Sequence, residues 1–266
     1  MIYCVLKGGL CNMLFQIAAV KSFAIDSGQD CSFPNLLHHY GVMDADNYYI
    51  LNLKHSTEYH QIFKHLNVTQ PTTPLPRINF PFHYVTVDKP DGDYIVDGFF
   101  QSEKYFAHNR EAILEFIKMP ESVKEIIETK YSDLLSVRTT AIHVRRGDYL
   151  KFPQHHPTQT VEYFLAGVEL LKDKTDKFLV FSDDIAWCKA NFKFDNIVYI
   201  ENEKDYIELY LQSLCNNNIT SNSSFSWWGA WLNENEDKVV IGPTNWFGPA
   251  IQHETADILP ESWIKI

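Results

Sequence analysis

The sequence predicts an α/β protein with parallel sheets, and three observations carry that expectation. Short apolar runs alternate with stretches of helical period along most of the chain. Such alternation implies parallel strands joined by right-handed crossovers. Polar and glycine-bearing clusters follow the apolar runs directly, which is where an open parallel sheet binds its ligands.

Taken in order, Ile2 to Leu6 reads as a buried first strand that runs into the turn Lys7-Gly8-Gly9. Leu14, Ile17, Ala18 and Ile25 recur at helix spacing and stop near Gly28. Cys31 to Phe33 reads as a short strand. Residues 35 to 70 show no regular period, and Pro71, Pro74, Pro76 and Pro81 predict an extended surface segment. Tyr94 to Val96 is a strand. Ser102 is placed to cap a helix carrying Phe106, Ile113, Phe116 and Ile117, and Pro120 opens another with Val123, Ile126 and Ile127. Beyond a break near residues 130 to 138 the alternation is regular. Strands are expected at Thr140 to Val144, Phe178 to Phe181, Ile197 to Ile200, around Ile219, and at Val239 to Ile241, the last. Helices are expected over Val161 to Leu171, from Asp184, over Asp205 to Cys215, and over Ser224 to Leu232.

With 266 residues, 45% hydrophobic and 21% charged, the chain suits one large domain or two small ones. A formal net charge of -11 argues against nucleic acid or an anionic membrane as partner. Any anionic ligand must then be held by local cations and backbone N–H groups. No apolar stretch reaches the roughly 18 residues of a membrane helix, so no transmembrane segment is expected. The apolar start, Met1 to Leu6, is too short for a secretory signal. Cys4, Cys11, Cys31, Cys188 and Cys215 form no C-x-x-C pair, which fits a reduced cytoplasmic protein rather than a disulfide framework or zinc site.

Four clusters follow the proposed strands: Lys7-Gly8-Gly9, Arg145-Arg146-Gly147-Asp148, Ser182-Asp183-Asp184 and Ser221-Asn222-Ser223-Ser224-Phe225-Ser226. They fall where a nucleotide diphosphate would lie on an open sheet. A guanidinium offers a fixed fork of donors and a permanent charge, so Arg145 and Arg146 suit a diphosphate. Neighbouring side chains of an extended strand point to opposite sides, so one of the two is expected to meet the ligand; an ion pair within the fold is the competing use. The serine-rich turn before Trp227-Trp228 reads as a helix start that binds phosphate, with simple capping as the alternative. The tryptophans themselves read as core. Asp183 and Asp184 suit either a base or ribose, or a helix start favoured by the dipole.

Together these pieces resemble the bacterial alpha-1,2-fucosyltransferases (glycosyltransferase family 11-like) and, more distantly, the wider group of GDP-fucose-dependent enzymes. The matching residues are Gly8-Gly9-Leu10 with Asn12, Phe15 and Gln16; His143-Val144-Arg145-Arg146-Gly147-Asp148-Tyr149; Phe181-Ser182-Asp183-Asp184; and Asn222 through Leu232. Cys11 stands where the family usually has glycine, and Met13-Leu14 where it usually has Gln-Met. The resemblance implies a GT-B fold of two Rossmann-like domains, 1–135 on the acceptor side and 136–266 binding the donor. It implies GDP-beta-L-fucose as donor, a galactose-containing glycan as acceptor, inversion at the anomeric carbon, and no cofactor or metal. Carried over by residue, Arg145 grips the donor phosphates, with Arg146 beside it. His143 and Ser182-Asp183-Asp184 lie near guanine or ribose. Asn222, Ser223, Ser224 and Phe225 hold the diphosphate, and Gly8, Gly9 and Asn12 lie near the phosphates and reacting centre. Asp148 is favoured as general base over His156, although a carboxylate beside two arginines also suits orienting them.

Two other readings compete. A metal-dependent GT-A transferase would carry Asp-x-Asp, and Asp44-Ala45-Asp46 and Asp91-Gly92-Asp93 match that spacing in turn-like surroundings. A non-catalytic nucleotide or glycan binder would bind without turnover.

Overall fold

The computed structural model describes residues 1–36 and 59–266. Asp44-Ala45-Asp46 lies outside the described residues. The chain divides between Pro120 and Glu121 into two units, and residues Glu254–Ile258 return to the first.

The first unit holds strands β1 (Ile2–Cys4), β2 (Cys31–Ser32), β3 (Arg77–Asn79) and β4 (Tyr94–Asp97), and helices α1 (Leu10–Ser27), α2 (His60–Phe63) and α3 (Arg110–Phe116). Its strands are all parallel, in the order β2-β1-β4-β3. Helix α1 is buried along most of its length. It stops at Gly28, whose φ of 64° lets the N–H of Gln29 reach the carbonyl of Ala24 at 2.9 Å, a closure that a Cβ would disfavour. Strand β3 lies inside the proline-bearing stretch that the sequence assigns to an extended segment. It is an edge strand, where the missing N–H of proline costs least, and the Pro76 carbonyl still accepts from Ile95 N–H at 2.9 Å. The helix expected after Ser102 begins instead as two short 3₁₀ turns before α3, with the Ser102 Oγ accepting from Lys104 N–H. The returning segment brings Asp257, whose carboxylate accepts from the Tyr84 N–H at 2.6 Å.

The second unit holds α4 (Glu121–Leu135), β5 (Thr139–Val144), α5 (Val161–Leu171), β6 (Lys177–Ser182), α6 (Ile185–Asn191) and β7 (Ile197–Tyr199), then α7 (Asp205–Ser213), β8 (Asn217–Ile219), α8 (Ser224–Trp231), β9 (Val240–Gly242) and β10 (Ile264–Lys265). Helix α4, which the sequence places before the break, packs on α7 in this unit. Tyr131 Oη and Lys130 Nζ both donate to Glu203, each at 2.7 Å, and anchor it there. The six strands are parallel, in the order β10-β9-β8-β5-β6-β7. Numbered from β5, this is 3-2-1-4-5-6, the doubly wound order with its switch point between β5 and β8. Strand β10 goes unread in the sequence because it is two exposed residues paired only with β9.

Ile142, Val144, Phe164, Leu171, Val180, Ile219 and Ile241 form the core between sheet and helices. Trp227, Trp228 and Trp231 are buried, so the tryptophan-rich helix is core as expected. All five cysteines are buried. Among the described residues no helix is long and apolar enough to cross a membrane.

Helices α7 and α8 approach closely at Gly229, where an added Cβ would sit 2.9 Å from the Gln212 Cβ. Gly229→Ala gains about 1 kcal/mol of helix propensity, but overpacking of this kind costs about 1–3 kcal/mol. The expected net effect is destabilisation, read as a lower urea midpoint at unchanged slope. A stabilised variant would show that the helix pair has room.

Candidate active site

At the β5/β8 switch point one serine joins the two strand ends. Ser221 Oγ donates to the His143 carbonyl at 2.6 Å and accepts from Arg145 N–H at 3.1 Å. Ser226 Oγ in turn accepts from Ser221 N–H and donates back into the turn carbonyls of Ser221 and Ser223. The turn thus spends hydroxyls where a β-ladder would spend backbone groups. Ser223 caps α8 by accepting from Phe225 N–H at 3.3 Å. Ser224 lies beside it at the helix start, with no hydrogen bond from its hydroxyl among the described residues.

The two arginines follow the end of β5 and differ in their surroundings. Arg146 turns inward and is only 15% exposed; its Nε donates to Asp184 at 3.0 Å and its guanidinium lies 4.0 Å from the Trp187 ring centroid. Arg145 is more open, at 34%, and reaches Asp148 at 2.7 Å and Asp183 at 3.0 Å. Asp183 also accepts from Arg146 N–H at 2.8 Å. Gly147 is demanded here: a Cβ would sit 2.6 Å from Asp183 Oδ2. Asp184 caps α6 by accepting from Trp187 N–H, and Ser182 Oγ accepts from Asp184 N–H. Asp183 and Asp184 therefore do begin a helix, and they also hold both arginines.

His143 is buried against Phe225, with ring centroids 5.0 Å apart. Its Nδ1 has no hydrogen-bond partner among the described residues. Burial, and then the Arg145 charge, push its pKa down to about 3, so the ring is neutral. Asn222 spends its amide on the protein: Nδ2 donates to the Pro157 and Trp246 carbonyls, and Oδ1 accepts from Gln159. It fixes the loop after Asp148. On that loop His156 stacks on Tyr149, at 4.9 Å, and burial lowers its pKa below the usual value. Tyr149 Oη donates to the Asn222 carbonyl at 2.9 Å. Most of the sequence-predicted residues of the second unit are thus linked by hydrogen bonds around the ends of β5, β6 and β8, with His156 joined by stacking on Tyr149.

Gly8, Gly9 and Asn12 form a second group, in the first unit, after β1. Gly8 has φ 78°, and the amide of Asn12 packs over it. Gly9 is the N-cap of α1, whose first turn carries no acidic residue. Asp91-Gly92-Asp93 forms the turn before β4, with Gly92 at φ 83°. Among the described residues no group of three or more His, Cys, Asp or Glu is placed to hold a metal ion.

The profile of glycosyl transferase family 11 matches residues 77–266. The chain belongs to that family. It is 33% identical over 183 residues to an alpha-1,2-colitosyltransferase of Escherichia coli, covering 64% of this chain and 61% of that one. It is 26% identical over 197 residues to human galactoside alpha-(1,2)-fucosyltransferase 1, covering 64% and 52%. The chain thus spans between half and two thirds of the length of these relatives. Among solved structures it is similar to NodZ alpha-1,6-fucosyltransferase soaked with GDP-fucose, with a TM-score of 0.53 at 14% identity over 86% of this chain and 92% of that one. The family 11 chain therefore has the GT-B-like fold of parallel Rossmann-type sheets that the resemblance implies.

Glu208, in the first turn of α7, is a residue that sequence reading passes over, because Asp205 and Glu208 look like ordinary helix-start acids. Burial first, then the charges of Asp205, Glu203 and Asp183, push its pKa up to about 8. A carboxyl raised in the fold is stabilising to the native state only below its unfolded value. The native state loses stability as pH climbs from there through about 8. Glu208→Gln is therefore expected to match wild type at pH 4 and to gain up to about 3 kcal/mol at pH 7. Urea unfolding at the two pH values checks this; an equal effect at both would refute the burial argument.

Proposed function

We propose that this chain transfers L-fucose, with inversion, from GDP-beta-L-fucose to the 2-hydroxyl of a galactoside, without a metal. The observation that carries the reading is the group at the β5/β8 switch point. There a half-open guanidinium, Arg145, is held by Asp148 and Asp183 beside a serine-rich start to α8. Doubly wound sheets bind nucleotides at this point, and a helix start with a nearby arginine suits a diphosphate. The fucosyltransferase relatives support the sugar and the galactoside. The colitosyltransferase relative favours a second donor for the same site, a colitosyl nucleotide.

The acceptor oxygen bonds to the anomeric carbon as the bond to GDP breaks on the opposite face. Negative charge gathers on the departing diphosphate. A fixed guanidinium and helix N–H groups lower that barrier without having to reorganise. The acceptor proton goes to Asp148 or His156. Asp148 is already engaged with Arg145. His156 is kept neutral by burial and so retains a basic nitrogen at pH 7.

A screen of nucleotide sugars, GDP-fucose and a colitosyl nucleotide included, against lactose and related galactosides tests the reading, with linkage read by NMR. Binding without turnover would point to a non-catalytic binder. Activity should survive saturating EDTA; complete loss restored by manganese would overturn metal independence.

Arg145→Ala should lower kcat/KM by about 10²-fold or more. Arg145→Lys should recover little, for lack of the fork. Wild-type kinetics in a folded Arg145→Ala protein would refute the assignment. For the base, transfer and GDP affinity are measured in Asp148→Asn and His156→Ala. Lost transfer at unchanged GDP affinity marks the residue that acts in the chemistry, and parallel loss of both marks a residue that only holds Arg145.

A further inference from the structure

The turn after β4 is built in an expensive way. Phe100 sits at φ 53°, a left-handed conformation that a bulky residue rarely adopts. Its ring is fully buried and packs on Phe23, Phe80 and Tyr105, with centroids 5.9, 4.9 and 5.2 Å away. Two residues earlier, a Cβ on Gly98 would sit 2.8 Å from the Phe80 Cβ. An aromatic cluster and a mandatory glycine therefore hold a strained backbone in place. Strain of this kind persists where the surroundings over-determine it, and it gathers at functional positions.

What the turn delivers is Gln101. That side chain is buried, and its Nε2 donates to Asn12 Oδ1 at 2.8 Å. The donation settles which way the Asn12 amide faces. Its oxygen is turned to Gln101, and its NH₂ is left over Gly8, where a Cβ would lie 2.7 Å from Nδ2. Gln16, itself buried, fixes the backbone on the other side. It accepts from Lys7 N–H at 3.0 Å and donates to the carbonyls of Lys7 and Asn12 at 2.8 and 2.9 Å. The result is a donor group at the start of α1, where no side chain caps Gly9 and no acid occupies the first turn.

We infer that Gln101 is a positioning residue for the transfer reaction: it fixes Asn12 with its amide NH₂ presented as a donor. The inference rests on the proposed function, extended by the place near the phosphates and reacting centre that the family resemblance implies for Asn12. A rigid donor aimed at developing negative charge aids the transition state, whereas a freely flipping amide presents its oxygen part of the time and opposes it.

The chemistry of the contact supplies the test. Gln101→Glu keeps the shape but accepts where glutamine donates, so it draws the Asn12 NH₂ inward and turns the oxygen out. Gln101→Met keeps the packing and removes the donor. Transfer kinetics are measured for both, for Asn12→Ala, and for the double variant Asn12→Ala/Gln101→Glu, with thermal melts to confirm folding. Asn12→Ala should lower kcat by about 10²-fold, the scale for one lost donor. Gln101→Glu should lower kcat by about tenfold or more, and Gln101→Met by less, with donor KM little changed. Because Gln101 acts through Asn12, the double variant should be no slower than Asn12→Ala alone. Should Gln101→Glu fail to fold, Gln101→Met and its double with Asn12→Ala carry the same comparison. Wild-type kcat in the Gln101 variants overturns the inference and leaves the role of Asn12 standing. A double variant slowed by the product of the two single effects also overturns it, since Gln101 would then be acting independently. Wild-type kcat in Asn12→Ala removes Asn12 from the proposed function and the inference with it.

Discussion

The second unit depends on the hydroxyl of Ser221. Strands β5 and β8 are neighbours whose pairing runs from Thr140 opposite Asn217 and ends with Ile142 opposite Ile219. Beyond that point the ladder has ended, yet His143 and Ser221 are buried and their backbone groups need partners. Two hydroxyls answer: Ser221 Oγ donates to the His143 carbonyl and accepts from the N–H of Arg145, and Ser226 Oγ accepts from the backbone N–H of Ser221 and donates to its carbonyl. The direction in which the arginine leaves the sheet is thereby set by a hydrogen bond to the very turn that starts α8. The backbone of Arg145 and the turn that starts α8 are thus tied through one atom, and Asp148 and Asp183 hold the guanidinium beyond it.

Around that point charge is arranged more subtly than a basic patch in an acidic protein. Asp148, Asp183 and Asp184 share two arginines, and Glu208 presses on Asp183 from α7. The carboxylates remove rotamer freedom from the guanidinium groups, which leaves less entropy to lose when a ligand arrives. They also occupy some of the donors a diphosphate would use. Arg146 is engaged by Asp184 and the Trp187 ring, whereas Arg145 is the more exposed of the two.

Much of this was legible in the sequence, for identifiable reasons. The second half alternates cleanly because β5, β6, β8 and β9 are largely buried and so read as mostly apolar or small-residue runs between helices. The polar clusters at Arg145, Ser182 and Ser221 could therefore be assigned to strand ends before any fold was seen. What stayed hidden lacks a local signal. Strand β3 is three residues of mixed exposure among prolines, and β10 is two exposed residues. Helix α4 is held by Glu203, a contact far along the chain that no sequence period announces. Gln101 is likewise silent, since a lone glutamine after two phenylalanines reads as loop. Its meaning comes from the φ of Phe100 and from an asparagine 89 residues away. Asn222 carries a motif yet spends its amide on Pro157, Gln159 and Trp246, contacts that composition cannot foretell.

The return of residues Glu254–Ile258 to the first unit has a bearing on how members of this family can be recombined. The chain enters the first unit twice, so that unit is not inherited as one stretch of gene. A hybrid that joins residues 1–120 of one parent to residues 121–266 of another would take Tyr84 from the first and Asp257 from the second. The hydrogen bond from the Tyr84 N–H to that carboxylate would then pair residues with separate histories. Exchange of the whole first unit between family members by crossover therefore calls for two further junctions, one on each side of Glu254–Ile258, which carry that short segment along with its unit.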